Sequence, residues 1–326
     1  MTGNRKGFAT YKRIPFCYFD ERFSKSRKPT HEVKWEPMVY LERFALPTQG
    51  QEDAFLGEIK RTCYDSRYPF NVFRYRRMPE LEFAPITILC GGNGSGKSTL
   101  LNVMAEKLSI PHGTAYNRSH FFEDYLRLCW AETCRFDPEV RRRSRIITSD
   151  DVFDHLLNIR ALNERLSAKR QELLQEYCEM RRPSFQMKSL ADYEELKKHL
   201  EATRRSGSQY VRRNLMDEAE ERSNGESALQ FFTQSIGEGG LYLLDEPENS
   251  LSASRQMELA EFLAQSARFF GCQLVISTHS PFLLAIPEAK IYDLDGKPPR
   301  ARRWTELEDV RLYRDFFRRH EDAFRE

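Results

Sequence analysis

The sequence predicts an α/β fold: a mixed, mostly parallel sheet with helices on both faces, interrupted by a helical insertion. Three observations carry this. Pro85-Ile86-Thr87-Ile88-Leu89-Cys90 is an apolar run that passes straight into a glycine-rich stretch and then, from Thr99 to Ala105, into helical spacing. Leu241-Tyr242-Leu243-Leu244 is a second apolar run, and it ends in Asp245-Glu246. Strand and helix patterns alternate on either side of a charge-rich helical stretch, and that alternation is the mark of a parallel sheet covered on its faces.

The bulk properties agree with a globular chain. Its 326 residues are 40% hydrophobic and 31% charged, with a formal net charge of +2. That balance does not by itself call for a nucleic-acid partner. No run approaches the 18 or so apolar residues of a membrane span, and Met1-Thr2-Gly3-Asn4-Arg5-Lys6 leads into no apolar signal core, so a cytoplasmic protein without membrane contact is expected. Cysteines 17, 63, 90, 129, 134, 178 and 272 form no C-x-x-C pair, which predicts reduced, mostly buried thiols rather than a zinc site.

Residues 1–37 read as a basic leader, with nine Lys or Arg against three Asp or Glu over residues 1–35. This composition suits a loosely ordered segment, or an arm that touches nucleic acid. The core is expected over 38–326. Met38-Val39-Tyr40-Leu41 predicts a strand, and Leu81-Glu82-Phe83 with Pro85–Cys90 one or two more. Over about 152–221, Ile159, Leu162, Leu166, Leu173 and Tyr177 recur at helical intervals, Arg182-Pro183-Ser184 interrupts, and Tyr193, Leu196 and Leu200 resume. The pattern fits an antiparallel hairpin with arms of roughly 25 residues, about 37 Å each, or a helical subdomain lying against the core. A strand at 241–244, a helix at about 254–270, a strand at 273–277 and a charged helical tail complete the chain.

Gly91-Gly92-Asn93-Gly94-Ser95-Gly96-Lys97-Ser98 fits G-x-x-x-x-G-K-[ST] between its required strand and helix, and Thr99 follows. Glycines let the backbone turn several N–H groups inward, and the helix start adds its dipole, so the loop is a cradle for phosphates. Lys97 suits the β- and γ-phosphates, and the Ser98 hydroxyl suits Mg²⁺. About 150 residues later, Asp245 is placed to hold that magnesium, and Glu246 to polarise an attacking water as general base.

Two further segments carry a family resemblance. Arg222-Ser223-Asn224-Gly225-Glu226-Ser227 resembles the signature motif of ABC ATPases, in the S-x-G-E form of the SMC-like and RecF-like branches. Ile276-Ser277-Thr278-His279-Ser280-Pro281-Phe282 resembles their histidine switch, in the T-H-S-P form of the OLD-like and RecF-like branches. Asp245-Glu246-Pro247-Glu248-Asn249-Ser250-Leu251-Ser252 looks like the joined Walker B and D-loop. The order and spacing agree over about 80–295, and from residue 38 onward the chain is similar to small bacterial proteins known as AAA family or predicted ATPases. The resemblance implies a P-loop NTPase fold of ABC-ATPase type, with ATP and Mg²⁺ as ligands. It implies that Ser223, Gly225 and Glu226 meet the γ-phosphate held by a second copy of the chain, and that His279 meets the same phosphate or the lytic water.

The sequence also departs from that pattern. No glutamine lies between Ser98 and Arg170 for the usual lid position, where Asp150 is the candidate substitute, and Ser252 replaces the usual aspartate of the D-loop. The functions weighed are an ATP-driven dimeric clamp or switch in DNA repair, genome maintenance or phage defence, with DNA as a possible ligand, and the ATPase or sensor half of a toxin–antitoxin or defence pair with a separate effector protein. A transporter subunit is disfavoured, because L-S-G-G-Q and the lid glutamine are missing.

Overall fold

A computed structural model of the chain describes residues 38–59, 63–64, 66–180, 206–214 and 224–324. The basic leader, the proline interruption, Tyr193, Leu196, Leu200 and Ser223 lie outside the described residues. A six-stranded sheet organises the molecule. Its strands, in chain order, are β3 (Ile86–Cys90), β5 (Arg145–Thr148), β6 (Gly240–Asp245), β7 (Cys272–Ser277), β8 (Lys290–Asp293) and β9 (Arg300–Arg302). In space they run β5-β6-β7-β3-β8-β9, all parallel except β9, which is antiparallel to β8.

The apolar runs are continuous because both faces of this sheet are covered. Leu89, Leu241, Leu243, Val275 and Tyr292 point to one face. There they meet helix α2 (Lys97–Lys107), helix α3 (Phe122–Leu128) and a small antiparallel sheet of β1 (Leu41–Ala45), β2 (Leu81–Glu82) and β4 (Trp130–Thr133). Ile86, Ile88, Tyr242, Leu244, Leu274 and Ile276 point to the other face, with α7 (Asn224–Ser235), α8 (Ala253–Phe269) and α9 (Pro281–Leu284).

The strand expected at 38–41 begins only at Leu41. The amides of Tyr40 and Leu41 are both taken by the Gln273 side chain, each 2.8 Å from Oε1. Gln273 Nε2 in turn donates to the Leu41 carbonyl at 2.8 Å, so one fully buried amide ties the small sheet to the large one. The segment 81–90 resolves into two strands, one in each sheet.

The insertion opens with α5 (Ser149–Met180), 32 residues directly after β5, or about 48 Å at 1.5 Å per residue. It starts three residues earlier than expected, because Val152 and Leu156 belong to the central core. Farther along, Leu173 and Tyr177 pack on Tyr210 and Val211 of α6 (Gly207–Asn214). Leu162, one of the residues at helical intervals, is 49% exposed, while Asn163 beside it is buried. The chain ends in the charged helix α10 (Glu308–Arg319). Of the six cysteines in the described residues, only Cys90, Cys129 and Cys272 are buried, and all six are free thiols. No helix among the described residues is long and apolar enough to cross a membrane.

Candidate functional site

The phosphate loop joins β3 to α2, and its glycines are there for backbone reasons. Gly94 and Gly96 take φ of +77° and +94°, in the region that costs other residues strain. At Gly96 a Cβ would also lie 2.7 Å from the Phe73 ring, which packs directly on the loop. Lys97 opens α2 and is almost fully buried. Its ammonium folds back on the loop, donating to the carbonyl of Gly91 at 2.8 Å and of Gly92 at 3.4 Å.

Two strand ends deliver the remaining groups. β6 and β7 lie side by side in parallel, with Asp245 opposite Ser277. Asp245 Oδ1 accepts from the Ser277 hydroxyl, and the Ser98 hydroxyl also reaches this carboxylate. Burial pushes the Asp245 carboxyl above its usual range, an effect that these two hydroxyls oppose. The chain then leaves the strand at Glu246 with φ of +48°, a left-handed conformation uncommon for a non-glycine residue. That turn aims the Glu246 carboxylate at the loop. Its Oε1 lies 3.8 Å from Lys97 Nζ and 3.5 Å from His279 Nε2, and His279 Nε2 lies 2.7 Å from Lys97 Nζ.

A cavity of about 320 Å³ opens here, lined by Asn93, Gly94, Gly96, Lys97, Ser98, Thr99 and Glu246. Gly91, Gly92 and Ser95 are not among its lining: the first two accept from Lys97, and Ser95 N donates to the Gly92 carbonyl at 3.1 Å. Ser98 and Asp245 offer a hydroxyl and a carboxylate oxygen side by side. Such hard oxygen donors, few in number, suit Mg²⁺, which keeps most of its own waters. Among the described residues no cluster of three or more His, Cys, Asp or Glu forms a metal cage.

Gly225 and Glu226 do not line this cavity. They sit in the first turn of α7, where Glu226 Oε1 accepts from Arg255 at 2.8 Å and Gly225 lies beside the Ser250 carbonyl. Asp150 is exposed in the first turn of α5, two residues past Thr148, the register partner of Asp245. Its neighbour Asp151 is occupied in the helix start, accepting from Thr148 N and Oγ1 at 2.7 and 2.9 Å. Ser252 is the N-cap residue of α8, though its side chain makes no capping bond.

Three supporting residues escape a reading of the sequence. Asp295 accepts from the Gly92 amide at 2.6 Å, and Arg76 donates to the carbonyls of Gly94 and Leu294 at 3.0 and 3.1 Å. Glu248 Oε1 accepts from Thr278 Oγ1, His279 N and Ser280 N. Only Glu248 carries a sequence signal, as the third acid of Asp-Glu-Pro-Glu. Arg76 stands in an undistinguished basic run, and Asp295 follows a strand, β8, that the sequence reading leaves out.

Residues 213–285 match the family model described as "AAA domain, putative AbiEii toxin, Type IV TA system". Among solved structures, the chain is similar to the dimeric post-hydrolysis state of the ATP-binding cassette MJ0796 bound to ADP and Pi, at 18% identity over 70% of this chain and 90% of that one, with a TM-score of 0.34. It is also similar to the Smc head domain of Pyrococcus furiosus with an extended coiled coil, bound to the C-terminal domain of ScpA, at 12% identity over 81% and 96%, with a TM-score of 0.40. No curated protein matches the sequence. The glycine loop that carries β3 into α2, with the His279 strand between the loop strand and the Asp245 strand of a mostly parallel sheet, makes this a P-loop nucleotide-binding fold.

Proposed function

We propose that the chain binds Mg-ATP at the phosphate loop and hydrolyses it, and that two copies close on the nucleotide in doing so. The observation that carries this is the convergence of Lys97, Glu246 and His279 within 4 Å of one another above the loop. Lys97 exchanges its loop carbonyls for phosphate oxygens. Ser98 and Asp245 would hold the magnesium, which would supply positive charge against that of the phosphates. Glu246 orients a water and takes its proton, while His279 hydrogen-bonds the terminal phosphate. Fixed donors of this kind stabilise charge that is already in place when the bond breaks.

The position of the signature-like residues supports the two-copy reading. The start of α7 lies beside Ser250 and Arg255 and is not among the residues that line the chain's own cavity, and in this reading its positive dipole end meets a phosphate brought by another copy. Glu246→Gln tests this directly. The variant keeps its nucleotide and accumulates as an ATP-bound dimer on size-exclusion chromatography, and a strictly monomeric variant at saturating Mg-ATP excludes the two-chain mechanism. Repeating the run with DNA tests a role as a clamp in DNA repair, genome maintenance or phage defence.

The family match over 213–285 favours a second reading of the biological role, as the ATPase half of a toxin–antitoxin or defence pair. Copurification of a separate effector with the tagged chain from its native cells supports that reading; copurification of DNA alone supports the first.

A further inference from the structure

We propose that Glu248 is the positioning residue that holds His279 in register with Glu246, an assignment that rests on the hydrolysis reading above. Three donors converge on one oxygen. Glu248 Oε1 accepts from Thr278 Oγ1 at 2.7 Å, from the His279 amide at 2.7 Å and from the Ser280 amide at 3.2 Å. Bonds to an ionised acceptor are roughly twice as strong as neutral ones, and here they hold the amides of the histidine and the residue after it and the side chain of the residue before it. The second oxygen, Oε2, is buried and has no protein partner among the described residues, so the carboxylate is committed to this one task.

Glu248 belongs to the same turn as Glu246. Asn249 N donates to the Glu246 carbonyl at 3.1 Å, Leu251 N to the Glu248 carbonyl at 3.0 Å, and Asn249 Nδ2 to Glu246 Oε2 at 3.2 Å. A second tie runs through Gln256, which donates to the Leu251 carbonyl at 3.0 Å and accepts from the Ser280 hydroxyl at 2.7 Å. The turn after β6 and the loop after β7 are therefore one hydrogen-bonded unit. Glu246 and His279, 33 residues apart in the chain, are carried on it together. Any movement of the 246–251 turn reaches the imidazole through Glu248. This turn also lies beside Gly225 at Ser250, so a copy docking there would touch the unit that sets both catalytic groups.

The experiment compares steady-state ATP hydrolysis and Mg-ATP affinity in the unaltered protein, Glu248→Ala, Glu248→Gln, His279→Ala and the Glu248→Ala/His279→Ala double variant. Misplacing a reacting group by about 1 Å costs on the order of 10²-fold in rate. Glu248→Ala is therefore expected to lower kcat about 10²-fold while leaving nucleotide affinity within a factor of two or so. Glu248→Gln, which keeps an acceptor oxygen, falls in between. In the His279→Ala background Glu248→Ala should have no further effect, because the residue it positions is gone; an ordinary structural role would instead give additive losses and weaker binding. Additivity, or a kcat for Glu248→Ala and Glu248→Gln close to that of the unaltered protein, overturns the assignment of Glu248 alone. Lack of turnover in the unaltered protein overturns the hydrolysis reading beneath it.

Discussion

Lys97 Nζ and His279 Nε2 stand 2.7 Å apart, nitrogen to nitrogen. An ammonium has only donors, so this contact is a hydrogen bond in the tautomer that carries the ring proton on Nδ1 and offers the lone pair of Nε2. The contact joins the phosphate loop to the end of β7 and brings Lys97 within 3.8 Å of Glu246. A terminal phosphate entering the cavity competes for the same ammonium, and it accepts a hydrogen bond from His279 once the ring carries its proton on Nε2. The resting contacts of Lys97 are thus the ones nucleotide binding has to replace.

Lys97→Ala removes the point charge at the centre of this arrangement. Mg-ATP affinity is expected to fall by at least about 10²-fold, since several charge-assisted bonds to phosphate are lost together. Equilibrium binding of a fluorescent ATP analogue checks it, and unchanged affinity would remove the phosphate-binding role from residues 91–98.

Ser223→Arg places a long cation in the segment expected to meet a second chain's phosphate. Monomeric binding of Mg-ATP is expected to stay within about twofold while the dimer disappears, because the substituted residue belongs to the other copy's site. Sizing in the Glu246→Gln background, together with titration of the monomer, reads both quantities. Loss of binding by the isolated chain would show that the segment acts on its own nucleotide.

Gln273→Leu tests how the two sheets are joined. The substitution removes the acceptor of the Tyr40 and Leu41 amides and the donor to the Leu41 carbonyl, all at 2.8 Å. Buried backbone groups left unpaired cost about 1–3 kcal/mol each, so a loss of about 3 kcal/mol or more is expected on urea denaturation. A change below about 1 kcal/mol would mean that water replaces the amide without penalty.

The central sheet was legible because two signals coincide there: apolar runs long enough to be buried on both faces, and loop residues whose chemistry has few other uses. Lys97, Ser98, Asp245, Glu246 and His279 are each singled out by motif and position, and the registers of β6 and β3 on β7 bring them to one end of the sheet. Glu248, Asp295 and Arg76 were assigned no role, for a physical reason. Their work is done by hydrogen bonds to loops distant in sequence, and neither periodicity nor local spacing records such contacts. Gln273 likewise reads as an ordinary polar residue until the strand of Leu41 is set against it. The late start of β1 and the early start of α5 have a similar origin, since tertiary partners, not local propensity, decided those boundaries.

The most direct test of electrostatics in the core is Glu52. This residue of α1 (Gln49–Glu58) is fully buried, and burial foremost raises its carboxyl above the usual carboxylate range, with the Asn71 amide, 3.0 Å from Oε2, opposing the shift. The sign follows from proton counting. With the folded value above the unfolded one, the folded state holds more protons between the two, so stability falls as pH rises through that interval. Glu52 is therefore at its least costly below the ordinary carboxylate range, and its penalty is complete above its raised value. Glu52→Gln keeps an acceptor for Asn71 and removes the charge. The variant should match the unaltered protein in acid and exceed it in thermal stability near neutrality, with a flatter profile between. Differential scanning calorimetry from pH 4 to pH 8 in steps of about half a unit would follow the crossover. A Tm difference that stays constant across that range would mean that the Glu52 carboxyl does not change its charge on folding, and the buried-acid account of α1 would have to be given up.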